Sequence, residues 1–245
     1  MPKIYFEELN PDICKSIKAP EPSNRKAPHW LRDMDAYYHD ESLPLGLKHK
    51  DFGTIKSCPA VQDSFNFGYT ICMPMDLYLD STDPDFLKWH CPLFFPHDES
   101  SVNNLKDFVH PVVLKSVEGY PLETEYHKLF IKLSPFWGIK TETGYSTWFT
   151  HPKHVGSQPI CILDAIVDTD KFPARSPYAF AVKKGFKGVI KEGTPIIQII
   201  PFRRENWESE VIDLSLEDYR KQGVAVARSF TNSYKKFLWT RKKFN

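Results

Sequence analysis

The sequence lacks any long apolar run, and glycine is scarce relative to proline, with 11 glycines against 20 prolines in 245 residues. A membrane-spanning helix needs about 18 or more consecutive apolar residues, so none is expected. Residues 1–15 have no apolar signal core, so export is not expected either. Because proline is excluded from helix interiors and central strands, we expect many short segments joined by turns.

Neither sign of charge dominates, since 32 basic side chains stand against 31 acidic ones. This balance argues against attraction of the whole surface to nucleic acid or to anionic lipid. The five cysteines are scattered, odd in number and without a C-x-x-C pair, which favours reduced, mostly buried thiols in a reducing cytoplasm. By contrast, 41% apolar and 14% aromatic residues suffice for a substantial core.

The β signal is clearest from residue 119 onward. Leu129, Ile131 and Leu133 alternate with Lys128, Phe130 and Lys132, which is the period of a half-buried strand, and residues 195–202 form the strongest apolar run. Further segments receive individual predictions: strands at 4–6, 67–73, 145–150, 159–163 and 178–182, a bend and a turn at 185–194, and a long irregular loop at 80–111.

Helices are predicted only at the periphery. One short helix should start at Pro28 and end near Tyr37 and Tyr38. A C-terminal helix should follow Ser215, an N-cap with Asp218 three positions on. We therefore predict a mostly β (α+β) protein that forms a single structural domain. Its expected parts are an N-terminal arm with short helices and long loops over 1–114, a β-rich core over 115–210, and a C-terminal helix with a basic-aromatic tail over 211–245.

An apolar run leads into Ile166-Val167-Asp168-Thr169-Asp170, and later strands end in Gly193-Thr194-Pro195-Ile196-Ile197-Gln198-Ile199-Ile200. This stretch resembles the core signature of the dUTPase and dCTP deaminase superfamily, whose fold is a β-clip. The resemblance implies a dUTPase-like β-sandwich in which Asp168 or Asp170 orients water or a metal.

The chain departs from that family at its ligand positions. Where dUTPases place an aromatic residue that stacks on the sugar, this chain has Lys171, and Phe172 follows one step later. The Arg-Ser-Ser phosphate motif is absent, and Trp137 ends a segment in a similar place. The ligand-binding candidates that the resemblance implies are Gln198, Phe172 and Trp137.

A wider pattern resembles an uncharacterised family of tailed bacteriophages, including those of cyanobacteria. It consists of Pro28-His29-Trp30, Gly144-Tyr145-Ser146, Phe149-Thr150-His151-Pro152 and Ile197-Gln198-Ile199-Ile200-Pro201-Phe202-Arg203-Arg204. This resemblance covers most of the chain and implies a phage origin, but it names no activity.

Asp168 and Asp170 are the catalytic candidates. If they occupy alternate positions on a strand, their carboxylates share one face about 6–7 Å apart. That spacing suits a Mg²⁺-phosphate site or an acid–base pair. The alternative is a strand end whose aspartates close the turn before Phe172 and Pro173. A second group, His151 and His154 with Asp164, has no diagnostic metal spacing, and turn histidines are the default.

Aromatic and arginine side chains near the C-terminus are interface candidates, because such residues are common in interface hot spots. The set comprises Arg203, Arg204, Trp207 and Trp239. The basic-aromatic tail 235–245 has three interpretations: docking onto the body of the protein, contact with a partner protein, or binding of nucleic acid through stacking and phosphate contacts.

No complete catalytic motif is present, so we predict a non-enzymatic phage-type binding or assembly protein. A protein partner or a second copy is expected, no cofactor, no membrane, and a location in the host cytoplasm or the virion. The alternative is a nucleotide-binding or nucleotide-hydrolysing enzyme that uses Asp168 and Asp170, and only that alternative calls for Mg²⁺. The two differ in whether nucleotide and Mg²⁺ raise the melting temperature.

Overall fold

The computed structural model describes residues 2–9, 11–38, 52–91, 108–112, 119–120, 125–227, 235 and 238–244. The chain divides into two compact units, Met1–Pro22 with Gly68–Arg204 and Ser23–Phe67 with Glu205–Asn245. The fold is mostly β with few helices and one C-terminal helix, which confirms the predicted fold class.

The first unit contains one short helix, α1 (Pro11–Cys14), and most of the strands. In chain order these are β1 (Ile4–Glu8), β2 (Glu21–Pro22), β5 (Tyr69–Cys72), β6 (Leu77–Asp80), β7 (Lys88–His90), β8 (Val109–Pro111), β9 (Tyr126–Leu133), β10 (Trp137–Thr141), β11 (Tyr145–Thr150), β12 (Ile160–Ile162), β13 (Ala165–Val167), β14 (Tyr178–Lys183), β15 (Lys187–Ile190) and β16 (Pro195–Arg203).

The second unit contains β3 (Tyr37–Tyr38), β4 (Phe52–Gly53), α2 (His29–Asp33), α3 (Pro59–Asn66) and α4 (Leu216–Ala227), with 3-10 turns at Ser23–Lys26 and Ile55–Ser57. Strands β3 and β4 pair antiparallel. Ser215 Oγ accepts a hydrogen bond from the Asp218 backbone N–H at 3.1 Å, so the predicted N-cap of α4 is confirmed. Among the described residues, no helix is long and apolar enough to cross a membrane.

Antiparallel sheets organise the first unit. The largest has the order β13-β11-β16-β5-β2, a second has β12-β14-β9-β8, a third has β15-β6-β7, and β1 pairs with β10. Strands β13 and β16 flank β11, so the segment before the two aspartates and the Ile-Gln-Ile-Ile strand lie in one sheet. The β-clip relationship itself stays a prediction.

The core of the first unit lies between these sheets. Residues 196–199 of β16 are all buried because the strand has neighbours on both edges and cover on both faces. Phe130, Phe149 and Phe180 are each almost completely enclosed. A Cβ at Gly68 would lie 2.1 Å from the Ile199 carbonyl oxygen, so this close approach, at a φ of +78°, requires glycine.

The observed division of the chain differs from the predicted boundaries. Strands β5, β6 and β8 fall inside the predicted arm 1–114, yet they pair with β16, β15 and β9 of the predicted core, respectively. The reason is that a strand pairs through hydrogen bonds with residues far away in the chain, which the local pattern does not reveal.

Some local predictions are corrected. The loop predicted at 80–111 contains β7 and β8 in its described parts, and residues 92–107 lie outside the described residues. The predicted bend at 185–190 becomes a turn followed by β15, which pairs with β6. The helix from Pro28 ends at Asp33, because Tyr37 and Tyr38 pair with β4 instead of continuing it.

Candidate functional site

The two candidate aspartates follow β13 and do not lie within it. The backbone N–H groups of Lys171 and Phe172 both donate to the Asp168 carbonyl oxygen, at 2.9 and 2.8 Å. These bonds form a tight turn that ends the strand. The expectation that Asp168 and Asp170 occupy alternate positions on one strand face is therefore wrong, and the turn-closing alternative describes their backbone.

Arg204, the residue after β16, binds Asp170 in a bidentate pair. Its Nη1 lies 2.8 Å from Oδ1 and its Nη2 lies 2.5 Å from Oδ2. The Gly144 backbone N–H also donates to Asp170 Oδ2 at 2.8 Å, and only 3% of the Asp170 side chain is exposed. Hydrogen bonding to Arg204 lowers the pKa of the Asp170 carboxyl, so this group stays ionised.

Asp168 lies beside the same guanidinium but in a more open position. Its Oδ1 accepts a hydrogen bond from Ser146 Oγ at 2.6 Å and lies 3.3 Å from Arg204 Nη1. About half of its side chain, 49%, is exposed. Of the two aspartates, Asp168 therefore has more carboxylate surface open to a ligand.

Hydrogen bonds among buried threonine hydroxyls hold the turn against the sheet. Thr169 Oγ1 lies 2.7 Å from Thr141 Oγ1 and 2.8 Å from Thr147 Oγ1, and all three residues are buried. A hydroxyl both donates and accepts, so the three groups satisfy one another inside the sheet. This network holds Asp168 and Asp170 in a fixed geometry on either side of Thr169.

Gln198 is not part of this cluster. It pairs with Thr150 across the sheet, whereas Asp168 bonds to Ser146, four residues away on β11. Four residues of a strand span about 13 Å, so Gln198 and Asp168 do not share one contact site. Instead, the buried Gln198 Oε1 accepts a hydrogen bond from the Lys153 backbone N–H at 3.2 Å.

The two aromatic ligand candidates have different surroundings. Phe172 is 63% exposed on the surface. Trp137 lines a small cavity of about 40 Å³ together with Tyr178, and Lys18 also lines it. Trp137 Nε1 and the Tyr178 hydroxyl are buried, and neither has a hydrogen-bond partner in the described part of the chain. Burial raises the pKa of Tyr178, so its hydroxyl stays neutral.

The four interface candidates also differ in their exposure and in their contacts. Arg204 is engaged with Asp170, as described above, while Arg203 lies at the exposed end of β16. Trp207 is 87% exposed in a segment without helix or strand. Trp239 Nε1 donates to Asp63 Oδ2 on α3 at 2.8 Å, and Lys242 Nζ lies 2.7 Å from the same oxygen.

The described part of the tail is docked in the second unit. Besides the contacts to Asp63, the Phe244 ring meets Phe67 edge-on, with centroids 4.6 Å apart. These contacts support the docking interpretation for the side chains that make them. Residues 239–244 reach α3 without forming a helix, and Phe237 lies outside the described residues.

The histidine group does not assemble as a metal site. Asp164 Oδ2 accepts from Thr150 Oγ1 at 3.0 Å and from Trp148 Nε1 at 3.3 Å. Within the described ranges, no group of three or more His, Cys, Asp or Glu side chains is placed to hold a metal ion. His151 lines a separate cavity, which sequence reasoning missed because its other walls come from distant strands.

A second feature missed at first is the exposed segment around Trp207. Residues 205–219, which we call the acidic strap, expose Trp207, Val211, Ile212, Leu214, Leu216 and Tyr219. The available signal was their composition, six acidic residues and no basic one among apolar side chains. Comparison with known proteins adds nothing to this geometry, because no family model, no curated protein and no solved structure matches the chain.

Proposed function

We propose that the protein is a non-enzymatic, phage-type binding protein that assembles with copies of itself, in the host cytoplasm or the virion, through the acidic strap. The observation that carries the proposal is the exposure of large apolar side chains along this segment. Val211 is 100% exposed, and Ile212 and Leu214 next to it are also exposed. Contiguous apolar groups in water favour association, because each buried Å² contributes about 25 cal/mol.

The distribution of charge supports a second copy as the partner. The acidic strap has six acidic residues and no basic one, whereas residues 235–244, the basic tail, have five basic residues and no acidic one. In the tail, Lys235, Arg241 and Lys243 are exposed. Opposite charges on two segments of one chain make copies mutually complementary.

The docked aromatic groups of the tail support this arrangement. Trp239 and Phe244 hold the tail through their contacts with Asp63 and Phe67, while the cationic side chains named above remain exposed. A contact between the acidic strap of one copy and the basic tail of another is heterologous. Repeated contacts of this kind form either a closed ring or an open filament. No cofactor takes part in this function.

A charge-swap experiment tests the proposal. Sedimentation should show concentration-dependent association of the full chain that weakens with salt. Changing Glu208, Glu210 and Asp213 to lysine should abolish association, and so should changing Lys235, Arg241 and Lys243 to glutamate. Mixing the two variants should restore association, because each reversed segment meets a reversed partner.

A matched control tests whether the position of an exposed apolar residue in the acidic strap matters for association, or whether any exposed apolar residue would have the same effect. Val211→Glu should abolish association, while Ile166→Glu, at an exposed apolar residue of the first unit, should leave it unchanged. A chain that stays monomeric at millimolar concentration would refute the proposal. So would a mixture of the two swapped variants that fails to associate.

The alternative function, nucleotide binding or hydrolysis, has less support from the two candidate aspartates. The Asp170 carboxylate is occupied by Arg204 and Gly144, so Mg²⁺ would have to displace the guanidinium before binding there. Only Asp168, with its half-exposed side chain, is open to water or a metal. This geometry favours the binding protein over the enzyme.

A further inference from the structure

A second, larger cavity lies at the other end of β11 from the aspartates. Its volume is about 310 Å³, which is in the range of small-molecule sites of roughly 300–1,000 Å³. His151 follows β11, Ile160 and Cys161 come from β12, Lys183 ends β14, and Tyr126 begins β9. Residues 156–158 close the cavity from the connecting loop.

His151, a residue that lines this cavity, carries a ring nitrogen without a hydrogen-bond partner in the described part of the chain. Its Nδ1 is buried and makes no hydrogen bond to any group in the described residues. A buried polar atom left unpaired costs about 1–3 kcal/mol in general, so such atoms mark places where a ligand or water completes the structure. Burial lowers the pKa of His151, which keeps the imidazole neutral.

The loop that carries His151 is held in place before any ligand binds. Pro152 is buried, and the Lys153 backbone N–H donates to Gln198 Oε1 at 3.2 Å. His154 adopts a left-handed backbone conformation with a φ of +61°, and Gly156 has a φ of +78°. Gln198 is thus a positioning residue for this loop, and a fixed loop lowers the entropic cost of binding.

Opposite charges line the same cavity. Lys183 Nζ donates to Ser157 Oγ at 2.8 Å, so the ammonium group is oriented by a second cavity residue. Glu125, an acidic residue of the chain just before β9, also lines the cavity. A simple anion would be repelled by Glu125 and a simple cation by Lys183, whereas a molecule with both charges satisfies both walls.

We propose that this cavity binds a small zwitterion of the α-amino acid class. The carboxylate lies against Lys183 and Ser157, and the ammonium group lies against Glu125. His151 Nδ1 accepts from the ammonium group in one tautomer or donates to the carboxylate in the other. The side chain of the ligand lies against Ile160 and Tyr126. This site lies in the first unit and is independent of the strap and tail.

Calorimetry and NMR titration test this site on the full chain with L-leucine, L-serine and L-glutamine as probes. At least one should bind saturably at millimolar or lower concentration. Two analogues of leucine then separate the charges: 4-methylpentanoate lacks the ammonium group and 3-methylbutylamine lacks the carboxylate. Each should bind about tenfold more weakly than leucine, or worse, since each loses one ion pair or hydrogen bond.

Variants locate the binding. Lys183→Met, Glu125→Gln and His151→Leu should each weaken binding about tenfold, while Lys140→Met, an exposed lysine on β10, should not. His151→Asn, which keeps a polar atom near Nδ1, should retain more affinity than His151→Leu. The melting temperature of every variant is measured, and a variant that does not fold is replaced by its conservative counterpart.

Three results would overturn the proposal: no saturable binding of the three amino acids, equal binding of leucine and both analogues, or affinity unchanged in folded His151→Leu and Lys183→Met. The strap variant with Glu208, Glu210 and Asp213 changed to lysine should bind the probes normally. Failure of self-association and failure of this site are therefore distinguishable.

Discussion

Arg204 holds Asp170 through both terminal nitrogens of its guanidinium, across 34 residues of intervening chain. The pair joins the end of β16 to the turn after β13, and β11 lies between these two strands. A planar, bidentate pair fixes both distance and orientation. The interaction therefore stabilises the edge of the largest sheet, and it explains why the aspartates form a rigid turn.

This contact predicts an unequal effect of two similar substitutions. Asp170→Asn should lower the melting temperature by several degrees, because it leaves the guanidinium without its main partner. Asp168→Asn should lower it much less, since half of that side chain is in water. Thermal denaturation followed by circular dichroism measures both. Equal effects would contradict the assigned role of Asp170.

The same contact predicts how the protein responds to nucleotides. Because Arg204 occupies Asp170, dUTP, dCTP or dTTP with Mg²⁺ should leave the melting temperature unchanged. A rise would support the enzyme alternative only if Asp168→Ala and Asp170→Ala both remove it. The unsubstituted protein with Mg²⁺ alone is the control.

Acid stability should depend on Asp80. Hydrogen bonds from Thr82, with help from Lys187, lower the pKa of Asp80 to about 2. An unfolded aspartate has a pKa of about 3.9, so the folded state prefers the ionised form. The stabilisation is present above about pH 4 and is lost as the pH falls toward about 2.

Denaturant titration at several pH values checks the predicted direction of this change. The range from about pH 5 to pH 2 covers the pKa of Asp80 in the folded protein, about 2, and that of an unfolded aspartate, about 3.9. Asp80→Asn should make the loss of stability in that window less steep, while the contribution of Asp170, whose pKa is also lowered, remains. If the variant loses stability as steeply as the parent, Asp80 is not the group responsible.

The buried hydroxyl of Tyr178 predicts a stabilising substitution. Tyr178→Phe removes a buried oxygen that bonds to no described group, so the free energy of unfolding should rise by about 1 kcal/mol. The ring keeps its contact with Phe149, whose centroid is 5.3 Å away. Denaturant titration measures the change, and Tyr219→Phe on the exposed face of the acidic strap is the control. A loss of stability would mean that a bound water or ligand pairs with the hydroxyl.

The tail predicts a local loss. Trp239→Phe removes the indole donor to Asp63 and should cost about 1–3 kcal/mol in the stability of the second unit. Hydrogen exchange of the α3 amides should report it.

The tail also predicts weak binding of a single-stranded oligonucleotide, because the docked Trp239 and Phe244 rings are not free to stack on bases. The remaining affinity should fall steeply with salt, because it depends on contacts between basic residues and phosphates. Salt-independent binding would contradict an electrostatic role for the tail.

Local pattern was enough wherever one strand or one cap carries its own signal. Periodicity and capping depend on neighbours in sequence, so the sequence alone predicted three features correctly. They are the strand that ends at Leu133, the strand that contains Ile197 and Ile199, and the helix cap at Ser215. The composition of the acidic strap was equally visible. Its significance was not, because exposure is a property of the folded chain.

The sequence by itself determined that this is a mostly β chain, with short helices and a capped C-terminal helix, since those features follow from local residue preferences. Only the tertiary structure decided which strands pair, that Arg204 binds Asp170, that Gln198 holds the loop of His151, and that Lys183 and Glu125 line one cavity. Such contacts join residues tens of positions apart. Their geometry is set by the packing of whole sheets, which no window of neighbouring residues contains.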